Sequence, residues 1–142
     1  MTSTELLTLI KSLNLSLGTY AAIGSAAMAV RNIREAHDLD IVVLPEVFAK
    51  MGSDWKHDDE FFTKWNRHRL IKGDIEMYQD LYIDSIQKSI LAETVIRNAD
   101  IIEEVAFMSL DDLLMYKHNL NREKDVQDIA LIETYQRAQG IV

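Results

Sequence analysis

The chain has no cysteine among its 142 residues. Disulfides, thiolate zinc sites and a cysteine nucleophile are therefore excluded. Proline occurs once, at Pro45, and glycine five times, and nothing in the chain reads as a linker, an internal repeat or a low-complexity stretch. A chain of this length is expected to fold as one domain, residues 1–142. No apolar run approaches the roughly 18 residues that a membrane-spanning helix needs. The N-terminus also lacks the basic region and apolar core of a secretory signal. Together these absences point to a cytoplasmic protein with no membrane partner. Positive charge is in deficit as well: 15 basic against 23 acidic residues leave a formal charge of −8. That balance opposes a broad nucleic-acid-binding face, which must neutralise many phosphates, but not a local basic pocket for one nucleotide. His37, His57, His68 and His118 show no metal-ligand spacing, and no serine-nucleophile motif accompanies them.

What is present reads as alternating helices and strands. Leu6, Leu7, Leu9, Ile10 and Leu13 recur at helical spacing over Thr4–Leu13, with Thr2 or Ser3 as cap. Tyr20–Ile23 reads as a short buried strand, and alanine-rich Ala26–Arg34 as a helix. A second strand covers Asp38–Val43, and Pro45 is placed to start a helix over Glu46–Met51. Arg69–Tyr78 alternates and predicts a third strand. Gln87–Asn98 reads as a helix and Ile101–Phe107 as a short strand. Ser109 with Asp112 resembles a capping box opening helical sequence to Arg137, broken near Asn121. The order predicts an α/β (α+β) domain, a small mixed sheet flanked by helices and closed by C-terminal helices.

The chemistry concentrates in Ile23-Gly24-Ser25 and, after twelve intervening residues, Asp38-Leu39-Asp40-Ile41-Val42-Val43. A Gly-Ser turn between strand and helix permits close backbone approach and offers unpaired N–H groups to an anionic phosphate. Asp38 and Asp40, two apart on a strand, emerge on one face. Two like charges held together are costly unless a cation neutralises them, and carboxylate oxygens suit Mg²⁺. In an apolar strand, two unpaired aspartates have no evident structural purpose. A phosphate cradle beside a metal pair is the equipment of phosphoryl or nucleotidyl transfer.

These residues resemble the signature of the nucleotidyltransferase superfamily, the DNA polymerase β-like fold. More narrowly, Ile33-Arg34-Glu35-Ala36-His37-Asp38-Leu39-Asp40 resembles prokaryotic minimal nucleotidyltransferase-like proteins, which include relatives of abortive-infection toxins. The resemblance implies a third acidic residue on the following strand, where Asp74-Ile75-Glu76 stands, with Glu76 favoured over Asp74. It implies that Asp38, Asp40 and Glu76 bind Mg²⁺ (or Mn²⁺), and that Gly24 and Ser25 hold a nucleoside triphosphate. The acceptor it leaves open: a protein, an RNA end or a small molecule. The segment Ser109–Lys117 followed by Arg122–Asp128 resembles the closing helices of the same proteins, where Lys117 is a candidate phosphate ligand.

Other residues have ordinary readings. Lys124 and Asp128 are spaced as an i,i+4 pair on a solvated helix. Arg31 and Arg34 fit either phosphates or a solvated helix face. Lys64, Arg67, His68, Arg69 and Lys72, with Trp65 between, read as a polar loop, with an acceptor site as the sharper alternative. The small size motivates a second hypothesis: a catalytically inactive nucleotide-binding or interaction subunit of a two-protein, toxin–antitoxin-like module. A homo-oligomer or a protein partner completing the site fits either hypothesis.

Overall fold

The computed structural model describes residues 1–140. Helix α1 spans Ser3–Ser12 and is opened by Thr2, whose hydroxyl accepts from the Glu5 N–H while Glu5 accepts in return. It buries Leu6 and Ile10, four residues apart on one face. Strand β1 (Tyr20–Ile23) is buried along its whole length and leads into α2 (Ser25–Ala29). Strand β2 (Leu39–Val43) follows, then α3 (Pro45–Met51), with proline in its first turn where no N–H is needed. Strand β3 (Lys56–His57), α4 (Asp59–Trp65), β4 (Arg69–Lys72) and β5 (Ile75–Tyr78) form the middle of the chain. A small hairpin, β6 (Asp80–Ile83) and β7 (Lys88–Leu91), precedes α5 (Ala92–Arg97). Strands β8 (Asp100–Ile102) and β9 (Val105–Phe107) lead to α6 (Leu110–Leu120) and α7 (Glu123–Ala138).

The fold class is mixed α/β, as the element pattern predicts. Seven strands form one mixed sheet in the order β3-β4-β5-β2-β1-β9-β8. Strands β1 and β2 are antiparallel, while β2–β5 and β1–β9 are parallel. Apolar cores lie on both faces. On one, Leu39, Ile41 and Val43 pack with Leu6 and Ile10 of α1. On the other, Ala21, Ile23 and Val42 pack against Val95 of α5, Leu113 of α6 and Ile132 of α7. Residues at i and i+2 share a face, so Asp40 projects on the same side as Val42, into the second layer. No helix among the described residues is long and apolar enough to cross a membrane.

Four segments differ from the sequence expectation. Arg69–Tyr78 is a hairpin and not one strand: Lys72 pairs with Ile75 across Gly73-Asp74, and Gly73 takes a positive φ of 60°. The alternation runs unbroken through that tight turn, which hides it. Lys88–Leu91, expected to be helical, pairs instead with β6, so the helix begins only at Ala92. Ile101–Phe107 is also a hairpin, turned at Glu103 and Glu104. Both have positive φ, a conformation these residue types do not advertise. The helix expected over Ala26–Arg34 stops at Ala29, and Asn32 adopts a left-handed conformation (φ 59°).

Candidate metal and nucleotide site

The register of the central strands assembles an acidic cluster. Ile23 of β1 is paired with Asp40 of β2, and Asp40 with Glu76 of β5. Asp38 stands immediately before β2. One carboxylate oxygen from each of Asp38, Asp40 and Glu76 lies within 4.8 Å of the others. Asp74, the other candidate, is exposed in the β4–β5 turn, where its carbonyl accepts from the Leu39 N–H. The hairpin therefore selects Glu76 geometrically: two residues of turn remove Asp74 from the strand face that carries Glu76 and Tyr78.

Glu76 is held firmly. Its Oε2 accepts from Arg69 Nη1 at 3.0 Å and from the Tyr78 hydroxyl at 2.7 Å. Arg69 is fixed in turn by Asp58, with Nε donating at 2.7 Å. Burial pushes the Tyr78 phenol well above its ordinary range, and Glu76 adds to this. Asp40 is different. Its Oδ1 is buried and has no hydrogen-bond partner among the described residues. Burial, then the charges of Glu76 and Asp38, push its carboxyl up to about 7, with only Arg69 opposing. Three carboxylate oxygens this close together, from a cluster in which Asp40 also carries a buried unpaired oxygen and a raised carboxyl, fit a divalent cation.

Gly24 closes the turn above Asp40. Its φ of 62° and ψ of −133° suit glycine, and a Cβ there would lie 4.0 Å from Asp40 Oδ2. Gly24 and Asp40 share the lining of a cleft of about 500 Å³. That volume is in the range of small-molecule sites. Its far walls are aromatic: Phe61 and Trp65 of α4, Tyr78 and Tyr82 of the strands, and Tyr116 of α6. Trp65 is 43% exposed. Arg67, ion-paired with Asp80, sits against the rings of Phe61, Tyr78 and Tyr82 at 5.5, 5.9 and 5.1 Å.

The other expected site residues fall elsewhere. Ser25 opens α2 and is not among the residues lining the cleft. Lys117 is buried, with its ammonium donating to Asp128 at 2.8 Å and Asp125 at 3.4 Å, so it is held away from the cleft. Asp125 and Asp128 are not a solvated helix face: they are 0% and 5% exposed. Arg34 spans both oxygens of Asp128, and Arg31 binds Asp100. The signal for the buried network was present in the sequence. Lys117 continues the stripe Leu110, Leu113 at helical spacing, so it lies on the buried face of α6. Trp65 and Arg67 belong to the cluster whose sharper reading is an acceptor site; Phe61, Tyr78, Tyr82, Tyr116 and Arg122 were missed as cleft residues, because α4, the strands and the α6–α7 turn meet only in the tertiary fold. Comparison with protein-family models, curated proteins and solved structures returned no match to this chain.

Proposed function

We propose that the protein is a Mg²⁺-dependent (or Mn²⁺-dependent) cytoplasmic nucleotidyltransferase, passing a nucleoside monophosphate from a triphosphate to an acceptor hydroxyl. One observation carries this reading. The oxygens of Asp38, Asp40 and Glu76 converge within 4.8 Å, and Asp40 with its unpaired Oδ1 lines a cleft of about 500 Å³ with aromatic walls.

The three carboxylates would hold the cation. When bound, it supplies neutralisation of phosphate charge and acidifies an attacking hydroxyl. Gly24, with no side chain, lets phosphate oxygens approach the backbone above Asp40. Helix α2 has only five residues, so its dipole adds little to that cradle. Trp65, the exposed aromatic of the lining, offers a ring on which a base stacks, an interaction indifferent to which base it is. Glu76, oriented by Arg69 and Tyr78, accepts the acceptor's proton as the new P–O bond forms and pyrophosphate departs.

The second hypothesis, an interaction subunit without catalysis, would have been favoured by a third carboxylate turned away from Asp38 and Asp40. Glu76 lies beside them, which supports the catalytic reading instead. Calorimetric titration with ATP, GTP, CTP and UTP, with Mg²⁺ present and then chelated, tests the proposal. Binding is expected to need the cation and to vanish in the Asp38→Ala/Asp40→Ala double variant. A folded wild-type protein that binds none of the four would sink it and turn attention to a protein partner.

A further inference from the structure

Five charged side chains form a continuous chain from the loop before β2 to the cleft. Arg34 binds Asp128 through both carboxylate oxygens, at 2.8 and 3.0 Å. Lys117 bridges Asp128 and Asp125. Asp125 then receives Arg122 through Nε at 2.7 Å and Nη2 at 3.1 Å, and also accepts the Arg122 backbone N–H at 3.0 Å. Three cations share two carboxylates, so the chain carries one positive charge in excess.

The excess has one outlet on the cleft. Lys117 and both aspartates are buried. Arg34 faces the opposite end of the chain and does not line the cleft, whereas the Arg122 side chain is 50% exposed and does. Its hold on Asp125 fixes the plane of the guanidinium while using only part of its five-donor fork. The other cations near the cleft are already ion-paired, although Arg67 Nε is buried without a hydrogen-bond partner among the described residues. Arg67 is paired with Asp80, and Arg69 is shared by Asp58 and Glu76. Asp84 also lines the cleft, but it is exposed and so strongly screened.

Building on the nucleotidyltransferase reading, we propose that Arg122 is the phosphate-binding residue of the cleft, gripping the polyphosphate of the nucleotide in the lining it shares with Gly24 and Asp40. A fixed guanidinium with spare donors suits bidentate contact with phosphate oxygens. The role expected of Lys117 thus passes to a neighbour on the next helix, and Lys117 supplies charge to the network behind it.

The test is calorimetry with ATP, GTP, CTP and UTP and Mg²⁺ on wild type, Arg122→Gln, Arg122→Lys, Lys124→Gln and Asp40→Asn. Lys124 is exposed on the same helix and does not line the cleft, so its variant removes the same charge without touching the site. Arg122→Gln should weaken the best triphosphate roughly 10- to 100-fold, the scale of a lost charge-assisted contact. Its binding should also become less salt-dependent, which a purely structural role would not cause. Lys124→Gln should stay within about twofold of wild type, the scale of a screened surface charge. Arg122→Lys, which keeps the charge, should fall between wild type and Arg122→Gln and serves if the glutamine variant melts. Wild-type affinity and salt dependence in Arg122→Gln, or equal losses in the Gln variants at 122 and 124, would overturn the inference. If Asp40→Asn still abolishes cation-dependent binding in that case, the nucleotidyltransferase reading stands without it. No binding by wild type overturns both.

Discussion

The molecule buries carboxylate oxygens in two places, and it treats them in opposite ways. Between α6 and α7, every carboxylate oxygen of Asp125 and Asp128 accepts from Lys117, Arg34 or Arg122. Burial pushes both carboxyls up, but the arginine hydrogen bonds and the Lys117 charge outweigh it and hold them below the ordinary range. Between β2 and β5, Asp40 has an unpaired buried oxygen and a carboxyl pushed up to about 7 by burial, Glu76 and Asp38. In one set every carboxylate oxygen is paired. In the other a buried oxygen is left unpaired, and that difference separates a structural network from a candidate ligand site.

Removing one partner from the completed network should have the largest effect. Lys117→Met removes the one buried cation between Asp125 and Asp128, leaving each aspartate only its partly exposed arginine, and should cost about 3–5 kcal/mol in denaturant unfolding. A loss below about 1 kcal/mol, the scale of an exposed pair, would make the network no different from a surface salt bridge.

The same kind of change in the acidic cluster should have the opposite sign. Asp40→Asn removes an overcharged group and should stabilise the metal-free protein at pH 8 by an amount on the order of 1–2 kcal/mol, well below the full shift because Glu76 shares the cluster. Its pH dependence sharpens the contrast. From the ordinary 3.8 up to about 7, the folded state keeps a proton on Asp40 that the unfolded state releases. Stability from this carboxyl therefore falls as pH rises through that window and is level above it. The melting advantage of Asp40→Asn should grow from pH 4 to 7 and then flatten. Asp125 and Asp128, held low, contribute at neutral pH and lose that contribution only as acid titrates them below 3.8. An advantage that shrinks with rising pH would invert the assignment for Asp40.

Gly24→Ala should cost about 1–3 kcal/mol, from a backbone conformation (φ 62°, ψ −133°) that L side chains rarely adopt and not from a clash, since the new Cβ meets nothing closer than 4.0 Å. If Gly24 serves close phosphate approach, nucleotide affinity should fall by more than this cost. Equal, small changes in both would reduce Gly24 to a turn residue.

The sequence revealed the part of the site that is local. Asp40 sits in an apolar strand after a Gly-Ser turn, with Asp38 just before that strand, and the strand begins one residue later than the pattern puts it. The Thr2 cap, Pro45 at a helix start and the Asn121 break between α6 and α7 were also legible, because each is short-range backbone chemistry. The third carboxylate was not settled, because Asp74 and Glu76 differ only through a hairpin turn that the alternation conceals. The identity of Lys117's partners was hidden for another reason. Whether Asp128 meets Lys124 on its own helix or Lys117 on the preceding one depends on the packing of α6 against α7.

The cation site itself is tested most directly by Mn²⁺ titration followed by electron paramagnetic resonance, on wild type and Asp40→Asn. The account predicts saturable binding by wild type, displacement by Mg²⁺, and loss of that binding in a variant that remains folded. Mn²⁺ left free by a folded wild-type protein, or bound equally by Asp40→Asn, would contradict it.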